Sequence, residues 1–382
     1  MMSSSQQPHN LEYQKFLQML LNNDQSRSQE SGGFPYYIIC AMHFLYFLDP
    51  KEQSKASMMT PKILQFYSGT YNPADRLILE IIYSLDASVN ISSEMRIESY
   101  SFPQEQKKLY NFAVGHCEMS FSSKVFRNSI KTLSNKSGAY SYQKFETVME
   151  YIAVIEKFTD SQEQDLVYDP LFVLPAIADM VSRKLVSVNS MVDSHCLSYV
   201  VICLGLNARV AGMARKILNS SISLIDESHY KEKDLTRTTL YSLYYATSDP
   251  TLIKNPRFSI ILTIIANMIP ILSNVGHFLF DRVLQYVTKS PTIDTSDIPL
   301  LRTLLPASEV DNYGKATNWM LNMLISSMKR CSDLTIYEDE FIFEIVQTIQ
   351  SVSTSWDSTR ALSSALLSHA RLQHNLDKKP DA

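Results

Sequence analysis

Two histidine–cysteine pairs are the residues of this 382-residue sequence best suited to chemistry, His116-Cys117 and His195-Cys196. A cysteine nucleophile needs a histidine base beside it, whereas adjacent residues on one helix point about 100° apart. Cys196 also shares an apolar stretch with Cys203, where cysteine packs as a small hydrophobic residue. We therefore predict structural cysteines. A thiol-dependent enzyme using Cys117 or Cys196 is kept as an alternative hypothesis.

Asp169 precedes Pro170 at the head of the apolar run YDPLFVLP, residues 168–175. A catalytic acid would need a second titrating group at a suitable spacing, and none is close by. A helix N-cap followed by proline in the first turn needs no further partner. We predict that a helix starts here, with either a kink at Pro175 or a start after it. The same device recurs at Asp49-Pro50, Thr60-Pro61, Asn72-Pro73, Asp249-Pro250, Asn255-Pro256 and Ser290-Pro291.

Motifs that encode a mechanism by their spacing are missing from the sequence. It has nine glycines and contains no phosphate loop, dinucleotide fingerprint, nucleophile elbow or zinc-protease motif. The five cysteines are never spaced as Cys-x-x-Cys, which disfavours zinc binding and indicates a reducing compartment. His277 follows Gly276 and is expected at the surface or as a helix cap. We predict a protein that is not an enzyme, with no catalytic, cofactor-binding or metal site.

The tyrosine pairs Tyr36-Tyr37 and Tyr244-Tyr245 are the candidates for stacking on nucleic-acid bases, because every base offers a π-face. No arginine or lysine is interleaved with them, so we expect these tyrosines to pack between helices. The run of mixed charge at 231–237 is typical of a solvated helix start.

Trp319 and Trp356 are suited to anchoring a partner, although core packing is favoured. The 35 basic and 39 acidic residues give a net charge of −4 without a basic stripe, so charge does not argue for RNA binding. The sequence alone therefore does not identify an interaction surface.

The composition, 45% hydrophobic and 19% charged, is that of a folded protein. Residues 258–280 carry no formal charge and are long enough to span a bilayer. Their polar residues cluster toward the end of the segment, so residues 273–276 (SNVG) predict a turn between two buried helices instead. We expect no membrane association.

Helical periodicity predicts an all-α protein, a HEAT/armadillo-like helical repeat or α-solenoid, with helix pairs about every 40 residues. The helices expected after Asp169 are 170–186, 190–206, 208–224, 232–247, 257–272, 277–289, 298–305, 315–330, 337–352 and 358–374. The earlier ones are 11–22, 36–48, 61–68, 73–85, 104–113 and 141–157. We predict a flexible lead with one short helix (1–33), an irregular helical region (34–160), a helical-repeat domain (161–374) and a disordered tail (375–382).

Three stretches occur in the order seen in one protein family: FYSGTYNPADRLILEIIYSLD (66–86), VYDPLFVLP (167–175) and the helical run at 318–349. The sequence from about Tyr67 to Ser355 resembles the C-terminal domain of the nucleolar pre-ribosomal-associated protein 1 family. These are large helical-repeat scaffolds. The long N-terminal scaffold region of that family has no counterpart in this sequence.

This resemblance implies a non-catalytic scaffold of the nucleolus and nucleus, in early pre-60S particles. It would be needed for large-subunit biogenesis and for maturation of 5.8S and large-subunit rRNA. The implied partners are other large-subunit assembly factors, including a helicase, and precursor rRNA within the particle. No small-molecule substrate, cofactor or membrane is implied. The alternative is a generic cytosolic armadillo-type adaptor between proteins.

Overall fold

The computed structural model describes residues 70, 122–133, 167–228, 233–289, 292–304, 313–329, 332–352 and 357–377. The chain divides into two compact units. One comprises Met1–Val114 and Lys144–Asp169, and in it Thr70 and Tyr168 form an isolated antiparallel bridge. The other comprises Gly115–Gln143 and Pro170–Ala382 and holds every helix described below. The predicted helices before residue 114 and the one at 141–157 lie outside the described residues.

The described residues are helical and contain no β-strand, so the all-α prediction is confirmed for them. The helices are α1 (Ser123–Thr132), α2 (Pro170–Ser182), α3 (Val188–Asp193), α4 (Cys196–Cys203), α5 (Ala208–Glu227), α6 (Lys233–Ala246), α7 (Pro250–Lys254), α8 (Arg257–Leu272), α9 (Phe280–Lys289), α10 (Leu301–Leu304), α11 (Tyr313–Ser327), α12 (Ser332–Asp339), α13 (Ile342–Val352) and α14 (Asp357–Asp377).

Several helices begin where the proline pairs predict. Helix α2 begins at Pro170 and continues through Pro175, so the alternative of a start after Pro175 is wrong. Asp249 caps α7 by accepting a hydrogen bond from the Thr251 backbone N–H at 2.8 Å. Asn255 accepts from the Arg257 backbone N–H at 2.9 Å, just before α8. These side-chain oxygens satisfy N–H groups that the first helical turn leaves unpaired.

The core is built on helix α4, whose eight residues are all buried. It packs against α8, in which twelve of the sixteen residues are buried. A helix that is apolar on every side must be covered on every side. The chain supplies that cover, because α3, α5 and α1 contact α4, while α6, α7, α9 and α11 contact α8.

The outer helices extend this packing on two sides. Helix α11 packs on α8, α14 packs on α11, and α13 packs on α14. On the other side α2 contacts α5, α5 contacts α6, and α6 contacts α9. Stacked helix pairs would also make contacts between helices that are not adjacent in sequence. The solenoid class itself stays a prediction.

Helix α8 ends at Leu272 and is followed by non-helical residues up to α9, which confirms the predicted turn. The uncharged segment 258–280 is therefore divided. In the part of the chain that the structure describes, no helix combines the length and the apolar character needed to cross a membrane.

Helix α1 is an element that the sequence prediction missed. It lies across α4, α8 and α11, and the Phe126 ring packs on Tyr199 of α4 with their centroids 5.1 Å apart. Both rings are fully buried. At the other end of the helix, the Lys329 ammonium donates to the Ile130 carbonyl at 3.1 Å. The prediction failed here because α1 is only ten residues long and most of its apolar surface comes from two residues one turn apart.

Two predicted helices are each divided in two. The expected 190–206 helix is broken at His195, where φ is 62°, and the expected 337–352 helix is broken at Phe341, where φ is 53°. Left-handed backbone costs a residue with a Cβ about 1 kcal/mol or more, so sequence rules assign such breaks to glycine. Neither break carries a glycine or a proline to signal it.

A partly buried ion-pair cluster ties three segments together at the start of α8. Glu340 follows α12, and its side chain is only 10% exposed. Its carboxylate accepts from Arg257 of α8 at 2.8 Å and lies 3.8 Å from Arg302 of α10. Arg257 also donates to the Ser296 carbonyl at 2.6 Å. Because the carboxylate is shielded from water, this cluster contributes more than an exposed surface pair.

Replacing Phe126 with alanine should lower the free energy of unfolding by about 3–5 kcal/mol, because the aromatic contact is lost and a cavity opens between α1 and α4. Urea denaturation followed by circular dichroism measures this. Lys124→Ala, an exposed change on the same helix, should alter it by less than about 0.5 kcal/mol. Equal effects of the two changes would contradict the docking of α1.

Glu340→Gln keeps the side-chain shape but removes the charge that faces two arginines. We expect a loss of about 1–3 kcal/mol, since hydrogen bonds to charged groups contribute about that much when they are buried. The matched control is Glu344→Gln on the exposed side of α13, which should be nearly neutral. Thermal unfolding of both variants side by side checks the difference, and a neutral Glu340→Gln would rule the cluster out as a stabilising feature.

Candidate functional site

The candidate cysteine nucleophile at Cys196 is inaccessible. Cys196 and Cys203 form no disulfide and have no exposed surface, and they lie at opposite ends of α4. Burial raises the pKa of the Cys196 thiol far above its ordinary range, so the thiol is protonated. Burial, followed by the charge of Arg127, lowers the pKa of His195. A buried neutral thiol is a poor nucleophile, and the geometry disfavours chemistry at this pair. His116 and Cys117 lie outside the described residues.

The remaining single candidates have structural positions. His277 lies in the turn before α9, where its Nδ1 accepts from the Leu279 backbone N–H at 3.1 Å. Burial lowers the pKa of His277. Asp169 is buried directly before α2, and its role as a cap stays a prediction. Trp319 is half-buried on α11, while Trp356 lies outside the described residues.

A metal site is not evident in the ranges that the structure describes. None of the His, Cys, Asp and Glu side chains there gather into a group of three or more able to hold a metal ion.

The tyrosines of α6 are more exposed than the sequence suggested. Tyr245 is 67% exposed and Tyr241 is 36% exposed, so the prediction that Tyr244-Tyr245 packs between helices is wrong for Tyr245. The Tyr241 and Tyr245 rings lie nearly parallel, with centroids 6.2 Å apart. Tyr244 meets Tyr245 edge-on at 6.0 Å. Residues four apart share a helix face, which places Tyr241 and Tyr245 together. Tyr36 and Tyr37 lie outside the described residues.

Two arginines lie beside these tyrosines: Arg237 on the same helix, and Arg215, which the fold brings there from α5. The Arg215 guanidinium of α5 lies 4.5 Å from the centre of the Tyr244 ring, and the Arg237 guanidinium lies 5.9 Å from that of Tyr241. Both distances fall within the range of cation–π attraction. We call Tyr241, Tyr244, Tyr245, Arg215 and Arg237 the tyrosine–arginine surface.

The two arginines of this surface differ in their charge partners. Arg237 pairs with the Asp226 carboxylate at 2.9 Å. Arg215 donates to the Ser248 hydroxyl at 2.5 Å, and no carboxylate within the described ranges pairs with it. Its Nε–H is buried without a hydrogen-bond partner there. Arg215 therefore keeps an uncompensated positive charge beside exposed aromatic rings.

Further basic residues lie on the same half of α5. Arg209 and Lys216 are exposed and two turns apart, so they share one stripe of the helix. No acidic residue occurs between Ala208 and Ile225, nor between Leu235 and Ser248 on the antiparallel α6. Sequence analysis missed this surface because Arg215, the cation without a carboxylate partner, comes from a different helix than the tyrosines. The lack of acidic residues over both segments was the available signal.

Comparison with known proteins supports the family resemblance. A family model described as Nucleolar pre-ribosomal-associated protein 1 matches residues 197–375. That range includes α5, α6 and the tyrosine–arginine surface. The stretches at 66–86 and 167–175, which helped to suggest the family, precede it.

The chain is also similar to a curated protein of Saccharomyces cerevisiae named "Nucleolar pre-ribosomal-associated protein 1". The two are 22% identical over 410 aligned positions, which cover 87% of this chain and 23% of the yeast protein. The chain thus spans about a quarter of the length of this relative. No solved structure matches the chain. The matched residues, just under half of the chain, and this similarity both point to a resemblance to the nucleolar pre-ribosomal-associated protein 1 family.

Proposed function

We propose that this chain is a non-catalytic scaffold of the nucleolus that acts in early pre-60S particles. In this role it supports large-subunit biogenesis and the maturation of 5.8S and large-subunit rRNA. The observation that carries the proposal is the family match over residues 197–375, together with a relative named for pre-ribosomal association in the nucleolus. Its partners would be other large-subunit assembly factors, including a helicase, and precursor rRNA.

The architecture supports a role in which the protein holds its partners in place on a rigid surface. Helices α4, α8, α11 and α14 pack one on the next, and the remaining helices cover them. A stack of this kind presents a long outer surface on which several partners can be held at fixed separations, as in HEAT and armadillo repeats. Polar contacts such as Arg257–Glu340 and Lys329–Ile130 tie separate segments together, which suits a rigid support.

Fractionation of cell lysate on a density gradient tests this proposal. The tagged chain should co-sediment with precursors of the large subunit, and its depletion should lower mature 5.8S and large-subunit rRNA relative to small-subunit rRNA. Ile264→Asp places a charge in the fully buried centre of α8 and should abolish co-sedimentation, whereas the exposed change Lys124→Ala should not. A chain that is cytosolic, stays outside these fractions and leaves rRNA unchanged would support the general adaptor instead.

Thiol labelling tests the non-catalytic part of the proposal. At neutral pH and under native conditions, a small alkylating reagent should leave Cys196 and Cys203 unlabelled, because both are buried and the Cys196 thiol has a raised pKa. The same sites should be labelled once urea unfolds the chain, as mass spectrometry of the peptides will show. Rapid native labelling of Cys196 or Cys117 at substoichiometric reagent would indicate an activated thiolate and contradict the proposal.

A further inference from the structure

We infer that the tyrosine–arginine surface on α5 and α6 is a binding site for single-stranded RNA. A base would stack on Tyr245, and Arg215 with its basic neighbours would hold the adjoining phosphates. The inference rests on the proposed function in one respect, since a pre-ribosomal scaffold works among RNA strands. The position of the site follows from the residues of the tyrosine–arginine surface.

The stacking element is the pair of exposed rings. A soluble protein usually covers large aromatic side chains, yet two thirds of the Tyr245 surface is open to solvent. Tyr241 lies one turn away with its ring nearly parallel to that of Tyr245, so the two rings form one exposed aromatic cluster on α6. Bases of single strands stack on such rings with little dependence on sequence, whereas bases in a duplex are already stacked on each other.

The electrostatic element is the set of cations on α5, the helix that packs against α6. Arg215, Arg209 and Lys216 occupy the same half of α5, and none of them pairs with a carboxylate in the described part of the chain. Arg237 extends the set, although Asp226 partly neutralises it. The cation–π contact with Tyr244 holds the Arg215 guanidinium next to this aromatic cluster. A ligand that is aromatic and carries repeated negative charges matches both elements, and RNA has this combination.

An acidic protein segment is the competing ligand, because it too would pair with Arg215 and Lys216. The surface favours RNA for two reasons. Its apolar part consists of aromatic rings, which stack on bases, and contains no aliphatic side chain. Its three unpaired cations are also spread along two turns of α5, a spacing suited to successive phosphates.

The experiment uses the full chain and a fluorescein-labelled single-stranded RNA of about twelve nucleotides of mixed sequence, with fluorescence anisotropy as the measurement. Tyr245→Ala should weaken binding by about 5- to 100-fold, since loss of one stacked base has about that effect. Tyr245→Phe retains the ring and should bind within about 2-fold of the unmodified chain. Phe278→Ala removes another exposed aromatic residue, outside this surface, and should leave binding unchanged.

A salt titration tests the phosphate contacts separately. Lys216→Ala should reduce the slope of log affinity against log salt by about 0.7, the effect of losing one phosphate contact on a single strand. The same RNA sequence in a duplex should bind more weakly and should lose its dependence on Tyr245. A purely structural role of these residues would change neither the slope nor the preference for single strands.

The inference is overturned if the chain does not bind the single strand, or if Tyr245→Ala and Phe278→Ala bind it equally. It is also overturned if a labelled peptide of about ten residues rich in glutamate binds through Tyr245 and the RNA does not, because the surface would then be a protein-docking site. These failures are separate from failure of the proposed function. A chain that co-sediments with pre-60S particles but fails here retains the scaffold role and loses the RNA site.

Discussion

Burial of α4 and α8 is the constraint on which the rest of the structure depends. Both helices are apolar around nearly their whole circumference, so neither can lie at a surface without exposing a large area to water. The free energy of removing that area from water requires neighbours on each side. The amphipathic helices therefore lie where they cover this pair, with α5 and α1 against α4 and with α6, α9 and α11 against α8.

Hydrogen bonds between helices then determine how these helices align. Apolar packing alone would allow several alignments, because it is not directional. The buried Ser198 hydroxyl of α4 donates to the Ala266 carbonyl of α8 at 2.5 Å. At the end of α11, the Tyr337 hydroxyl donates to the Leu324 carbonyl at 2.7 Å, and a His369 ring nitrogen lies 3.0 Å from the Met328 carbonyl. Each bond satisfies a polar group that would be costly to bury alone. The rigid frame that results can hold surface residues of different helices in a constant arrangement.

The tyrosine–arginine surface shows how such a frame produces a functional feature. Tyr245 and Arg215 are thirty positions apart, and only the antiparallel packing of α5 on α6 brings them to one surface. The family match includes both helices, so the surface belongs to the part of the chain by which the family is recognised. Scaffold function and RNA contact are compatible here, because both use an exposed surface of a stable helical stack and neither needs an active site.

The sequence by itself determined the helical class, the bounds of helices such as α8 and the starts of α2 and α7, because periodicity and capping are local properties of neighbouring residues. The order of three of its segments also indicated the family resemblance that the comparisons support. Only the tertiary structure decided the breaks at His195 and Phe341 and the place of α1, since packing energy from distant residues outweighs the local preferences there. The exposure of Tyr245 and its arginine neighbours was decided in the same way. Which side chains meet at a surface depends on how helices pack, and no local pattern in one helix contains that information.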